Sequence, residues 1–333
     1  MDFTISQAKN DEDWNFFFDL SFRTLKALRK SFYEQLVSAN PGKSESELYA
    51  ASRKELEEYC DFQDPNTRVF IAANDDGLYC GYLWMGERNS EDYWDFQKPQ
   101  WIYDIVVEPN FRGNGLGKKL MSKAEEFAKE MKRDIGLFVH EDNTAAINLY
   151  KKENYFIKCI PMSKKIEGPV TPLQVDSYII RKSEDRDVSA VRGLGLVSYQ
   201  EMVKISKDVP EEQAKAKYEE YWEKISNLGK DLCTFVAETS NGDVVGFLTV
   251  GVADFSDEIG RVYDSAFDEQ HRNQNLMETL VSEAELWSSS KSLSRLYYLL
   301  NSSDDISQDI LQYLGFGIPG YFMEKDLFRD VLT

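Results

Sequence analysis

Apolar and polar residues alternate along this chain with two periods that trade places in a fixed order. Period-two alternation marks strands near residues 2–8, 68–74, 78–87, 101–107, 135–140 and 155–166. Helical periodicity marks stretches within 11–38 and 44–60, and at 115–132 and 144–153. Asp75-Asp76-Gly77 reads as a hairpin turn, and Ser44 with Glu47 reads as a capping box opening the second helical stretch. Strands and helices interleaved in this way predict an α/β (α+β) fold. The same order returns in the second half, with helical stretches at 185–206 and 210–227 and a hairpin at Asn241-Gly242. Gly168, Pro169 and Pro172 interrupt both periods, so residues 166–176 read as a linker between a domain at 1–165 and another at 177–333.

The residues repeat as well as the pattern, with a period of about 160, right for a doubled domain and too long for a solenoid. Arg68 to Ala72, Gly77 and Gly81-Tyr82-Leu83 correspond to Cys233 to Ala237, Gly242 and Gly246-Phe247-Leu248. Tyr103-Asp104 pairs with Tyr263-Asp264, Arg112 with Arg272, Leu116 with Leu276 and Leu120 with Leu280. Met162-Ser163-Lys164 ends one half and Met323-Glu324-Lys325 ends the other.

Composition narrows the partners. A net charge of −19 repels nucleic acid and favours cationic or neutral partners. Residues 1–165 carry 23 Lys and Arg against 28 Asp and Glu, whereas residues 166–333 carry 16 against 30, so the first half is the milder host for a polyanion. The start Met1 to Ser6 lacks a basic region followed by an apolar run, and no segment is long enough to span a bilayer, which predicts a cytoplasmic protein without membrane partners. Cys60, Cys80, Cys159 and Cys233 are scattered, so neither a metal site nor disulfides are expected.

The chemistry concentrates at Arg112-Gly113-Asn114-Gly115-Leu116-Gly117, between the apolar run Ile102 to Val107 and the amphipathic stretch Leu116 to Met131. Glycines at a helix entry let successive N–H groups and the helix N-terminus point at one anion. Lys118, Lys119 and Lys123 add positive charge beside it. In the repeat this loop becomes Arg272-Asn273-Gln274-Asn275-Leu276-Met277, and the lysines become Glu278, Thr279 and Glu283. Like charges near a surface repel by about 1 kcal/mol or more at contact distance, so the second half reads as a degenerate copy that does not hold the anion.

The pattern Val107-x-Pro109-x-x-Arg112-Gly113-x-Gly115-x-Gly117 resembles the acetyl-CoA loop of the GNAT (GCN5-related) N-acetyltransferase superfamily. Asn143 to Tyr150, followed by Lys152 to Phe156, resembles a second signature helix of that family, departing where Asn154 and Tyr155 replace the usual pair. Asn154 can still adopt the left-handed cap conformation. The resemblance implies two GNAT-like domains, each with a mixed, mostly antiparallel central sheet flanked by helices. It also implies acetyl-CoA as donor, without metal, and a primary amine of a small molecule, peptide or protein as acceptor. The donor would be held by Ile105, Val106, Val107, Arg112, Gly113, Asn114, Gly115, Leu116, Gly117, Lys118, Asn143 and Tyr150.

Direct transfer needs a neutral amine, and deprotonating a lysine-like amine at pH 7 costs roughly 4 to 5 kcal/mol. The resemblance assigns Tyr150 to protonate the departing sulfur, with Asp104 and Tyr103 as further catalytic candidates. Alternation places Trp101 and Tyr103 on one face of their strand and Asp104 on the other, and the repeat of Asp104 as Asp264 favours a structural role for it. Glu141, His140, another carboxylate or water alone remain alternative bases. Glu87 to Trp101, rich in acidic and aromatic residues, sits where such enzymes shape the acceptor site and suits a cationic amine, or is a solvated hairpin loop. The contrasting reading is a non-catalytic acyl-CoA sensor that keeps the loop and lacks a base.

Overall fold

The computed structural model describes residues 2–59, 61–88, 99–168, 177–206, 210–227, 231–271 and 274–328. Strand β1 (Phe3–Gln7) leads into α1 (Asp11–Leu28), α2 (Lys30–Ala39) and α3 (Glu45–Tyr59). Then come β2 (Arg68–Asn74), β3 (Tyr79–Glu87), β4 (Gln100–Val107), α4 (Leu116–Glu130), β5 (Ile135–His140), α5 (Thr144–Lys152) and β6 (Phe156–Lys165). The second half gives β7 (Ile179–Lys182), α6 (Val188–Ser206), α7 (Glu211–Asn227), β8 (Leu232–Glu238), β9 (Val244–Ala253) and β10 (Ser256–Phe267). It closes with α8 (Gln274–Ser290), β11 (Arg295–Asn301), α9 (Asp305–Tyr313) and β12 (Gly320–Lys325).

The expected order therefore holds, with one break inside the stretch 11–38. Arg29 leaves helical geometry at φ −113° and ψ 55° and divides α1 from α2. Asn10 caps α1 through a capping box with Asp13, and Asn154 closes α5 in the left-handed region at φ 66°. Among the described residues no helix is long and apolar enough to cross a membrane.

Among the described residues the strands join one twelve-stranded sheet in the order β1-β2-β3-β4-β5-β12-β6-β11-β10-β9-β8-β7. Among these described strands only β4 with β5 and β10 with β11 run parallel; every other pair is antiparallel. The two halves exchange their last strands. The second half's β12 lies between β5 and β6, while the first half's β6 pairs with β11. Met323 on β12 is fully buried in the first half's core with Leu116, Leu120 and Leu137, and Met162 on β6 is buried in the second half's core with Leu276, Leu280 and Leu296. Burying one such side chain contributes about 1.5 to 3 kcal/mol.

Candidate active site

The site forms where β4 parts from β5. Parallel pairing covers only Gln100 with Ile135, Trp101 with Gly136 and Ile102 with Leu137. From Tyr103 to Val107 the edge of β4 that faces β5 is unpaired, while its other edge stays bonded to β3. A bulge against β3 falls at Tyr103. An inserted residue resets the alternation of side chains, so Ile102, Ile105 and Val107 pack toward α4, and Tyr103 and Val106 pack toward α1 and α3. Asp104 turns to that second face as well, where it accepts hydrogen bonds from Tyr82 Oη at 2.6 Å and Arg29 Nη2 at 2.6 Å. This corrects the expectation that Asp104 and Tyr103 lie on opposite faces: strict alternation fails at the bulge.

Asp104 is buried, and its carboxylate raises both the Arg29 guanidinium and, second to burial, the Tyr82 phenol above their ordinary values. Tyr103 stacks on Trp84 at 4.8 Å between centroids, and its hydroxyl donates to the Glu87 carbonyl at 2.6 Å.

On the opposite face of β4 lies the glycine loop. Gly113 and Gly115 sit at φ 80° and 78°, a region that favours glycine, and Gly115 caps α4. The first intrahelical bond is that of the Lys119 N–H to the Gly115 carbonyl, and the amides of Gly113 through Lys118 donate to no described protein acceptor. A Cβ on Gly113 or Gly115 would meet nothing within 4 Å, so the cradle is open. Gly117 differs: its Cβ would stand 3.3 Å from Leu149 of α5, so it permits close packing of α4 on α5. Arg112 Nε donates to the Val107 carbonyl at 3.0 Å, and Asn114 bonds the carbonyls of Phe111 and Arg112, which fixes the loop from within. Each lysine after the loop has a carboxylate partner: Lys118 with Glu153, Lys119 with Asp2 and Lys123 with Glu126.

Across the parting from Asp104, α5 presents Tyr150, which is buried and whose hydroxyl makes no hydrogen bond with a described residue. Burial first, and the Asp104 carboxylate second, push its phenol well above the ordinary value, so it holds its proton at neutral pH. Asn143 caps α5 by accepting from the Ala146 N–H at 3.2 Å.

A cavity of about 650 Å³ opens under α1, α2 and α3 on the Asp104 face. Its aromatic walls are Phe32, Tyr59, Trp101, Tyr103 and Phe138, and its charged or titratable lining is Arg29, Glu55 and His140. Phe322, delivered by the exchanged β12, packs on Trp101 and Phe138 with centroids 5.9 and 5.2 Å away, and Arg88 lies over both Trp101 and Phe322. Sequence reasoning missed Arg29, Glu55 and Phe322. Within the stretch expected to shape the acceptor site, residues 89–98 lie outside the described residues, and Glu87 pairs with Arg133 at 3.0 Å.

The second half keeps the frame and fills the space. β10 pairs with β11 only from Ile259 to Arg261, and a bulge again falls at the tyrosine, Tyr263. Asp264 accepts from Tyr218 at 2.9 Å, and burial pushes its carboxyl up to about 6. Tyr218 and Tyr221 are buried against this strand, and the buried Tyr199 stacks on Tyr218 at 5.7 Å between centroids. A Cβ on Gly195 would fall 1.7 Å from the Tyr218 oxygen, so α6 lies flush on that ring.

The sequence profile of the acetyltransferase (GNAT) family matches twice, over residues 28–155 and 199–316, and the chain belongs to that family. An uncharacterized N-acetyltransferase of Methanocaldococcus jannaschii is 44% identical over 52 residues, 15% of this chain and 23% of that protein. Streptothricin acetyltransferase of Streptomyces lavendulae is 32% identical over 96 residues, 28% of this chain and 47% of that protein. The chain thus matches less than half the length of either relative. A GCN5-related N-acetyltransferase from Sphaerobacter thermophilus shares the fold, with a TM-score of 0.55, 14% identity and coverage of 98% of this chain and 96% of that one.

Proposed function

We propose that this acyltransferase moves the acetyl group of acetyl-CoA to a primary amine in the first half of the chain, in the cytoplasm. The observation that carries the reading is the run of unclaimed amides from Gly113 to Lys118 at the head of α4, beside the unpaired edge of β4. Such a nest suits a pyrophosphate. The edge of β4 from Ile105 to Val107 that no strand covers, with its Val107 carbonyl held by Arg112, suits the extended arm that follows it. An amine entering from the cavity would meet the thioester at the parting. Its nitrogen attacks the carbonyl carbon, the N–C bond forms, the C–S bond breaks, the amine proton leaves and the thiolate gains one.

Tyr150, which keeps its proton and feels the Asp104 carboxylate, would supply the thiolate, and Asp104 would serve as a base or an ammonium anchor. The tyrosine-filled face and missing glycines of the second half support a structural role for it. Streptothricin acetyltransferase, by its name, acts on streptothricin, which supports a small-molecule acceptor. The test is thiol release from acetyl-CoA by the full chain across amines of different classes. Release with at least one amine is expected. Tight acetyl-CoA binding without release from any of them would replace the enzyme with an acyl-CoA sensor.

A further inference from the structure

We propose that the cavity over β4 takes an α-amino acid with an aromatic or large apolar side chain, its carboxylate on Arg29 and its amine at the parting of β4 from β5. The proposal rests on the acetyltransferase reading and names the acceptor class.

Arg29 stands at the break between α1 and α2, so its side chain leaves the helical surface and lines the cavity, where it is the one permanently charged cation among the described lining residues. Its Nη2 bonds Asp104, while Nε and Nη1 make no described hydrogen bond. A guanidinium with an open edge in a half-buried, largely apolar site is built for a carboxylate, because charge-assisted bonds to a planar fork strengthen as water is excluded. The ion pair is not demanded by the frame. Asp264 occupies the matching strand position and is satisfied by the Tyr218 hydroxyl.

Spacing then selects the acceptor. Asp104 lies two residues beyond Ile102, the last residue of β4 paired with β5, and it touches Arg29 directly. A carboxylate on Arg29 is therefore close to the parting, and an amine on the adjacent carbon bridges so short a span without slack chain to order. The rest of the ligand faces Tyr59, Trp101, Tyr103, Phe138 and the aliphatic Leu25, Leu36 and Leu56. That lining suits an aromatic or apolar side chain. A polyamine would meet Arg29 as a like charge. Acetylation forms the amide N–C bond at the α-nitrogen and releases CoA as the thiol, with the amine proton balancing the thiolate.

Matched pairs that differ only in the carboxylate test this with the full chain: phenylalanine against 2-phenylethylamine, and tryptophan against tryptamine, each followed by thiol release. The amino acid is expected to exceed its partner in kcat/KM by about tenfold or more. In Arg29→Gln the ratio falls to near one, and in Arg29→Lys, which keeps the charge and loses the fork, it is intermediate. Equal or better turnover of the decarboxylated partners, or an unchanged ratio in Arg29→Gln with Arg29→Lys folded by circular dichroism, overturns the proposal while the acetyltransferase reading stands. If no amine supports release, calorimetry of phenylalanine on the full chain separates the two ideas. Binding that Arg29→Gln abolishes supports the amino-acid site, and no binding overturns it.

Discussion

Tyr150 and Asp264 are both buried acids, and the difference between them shows what each half of the chain is for. The Tyr150 hydroxyl bonds no described residue, so Tyr150→Phe removes no internal hydrogen bond and leaves the fold intact. If it protonates the departing thiolate, the variant lowers kcat about 100-fold while the KM for acetyl-CoA stays within about twofold. Steady-state thiol release and an unfolding curve check both parts. Asp264 has no such employment, and burial holds its carboxyl up to about 6, above the ordinary carboxylate value. A raised folded value means that the folded chain binds the proton more tightly, so this contribution to stability is complete below the unfolded value and is lost as pH rises through about 6. At neutral pH wild type bears the penalty of a buried charge, and Asp264→Asn removes it while keeping an acceptor for Tyr218. The variant is expected to be more stable than wild type at pH 7.5 by on the order of 2 to 3 kcal/mol, with the gain vanishing near pH 4. Urea unfolding at the two pH values measures it.

At the scale of elements, the glycine loop divides into two jobs. Gly115→Ala forces a φ of 78° on a residue with a Cβ, which costs about 1 to 2 kcal/mol, yet that Cβ meets no neighbour. Small destabilisation with a KM for acetyl-CoA raised about tenfold is the expected pair of results, since relaxing the strain turns the amides away from their common focus. Gly117→Ala instead presses on Leu149, and its effect should fall on thermal stability more than on KM. Calorimetric unfolding and donor titration on both variants separate the roles. The loop, both helices around it and the Asn154 cap were legible in the sequence because glycine, asparagine and helical periodicity each carry a local conformational preference. The bulge at Tyr103 was not, since no glycine or proline marks it and strict alternation sent Asp104 to the wrong face. Nor was the break at Arg29, because the sequence Ala27-Leu28-Arg29-Lys30 contains only good helix formers. The site's first face is thus written in local preference, and its second face, with Arg29 and Glu55, arises only when three helices settle on the sheet.

For the whole molecule, the exchange of last strands ties the fate of the site to the far end of the chain. Lys164 at the end of β6 reaches Glu285 on α8 at 2.7 Å, and Lys325 at the end of β12 reaches Glu125 on α4 at 2.8 Å, so each half signs its strand over to the other by the same contact. The repeated endings Met162-Ser163-Lys164 and Met323-Glu324-Lys325 were legible as a repeat, but pattern alone cannot say which sheet a repeated strand joins. One contact breaks the symmetry: Lys158 on β6 and Glu324 on β12 face each other at 3.6 Å, both buried. At the position that Glu324 holds in its own half, the first half carries Ser163. Two first halves trading β6 strands would therefore bury Lys158 without its carboxylate, and this favours exchange within one chain. Breaking a buried pair by removing one partner costs about 3 to 5 kcal/mol, so Glu324→Gln is expected to destabilise the first half strongly although it lies outside the proposed site. Ending the chain at Pro319 goes further: β5 and β6 lose the strand between them, and Phe322 leaves Trp101 and Phe138. The truncated chain should lose acetyl-CoA binding and acetyl transfer together, with β5 and β6 opening first in hydrogen exchange. Full activity in that truncation would mean that the first half completes its own sheet, and the exchanged strand would then be a property of packing without bearing on catalysis.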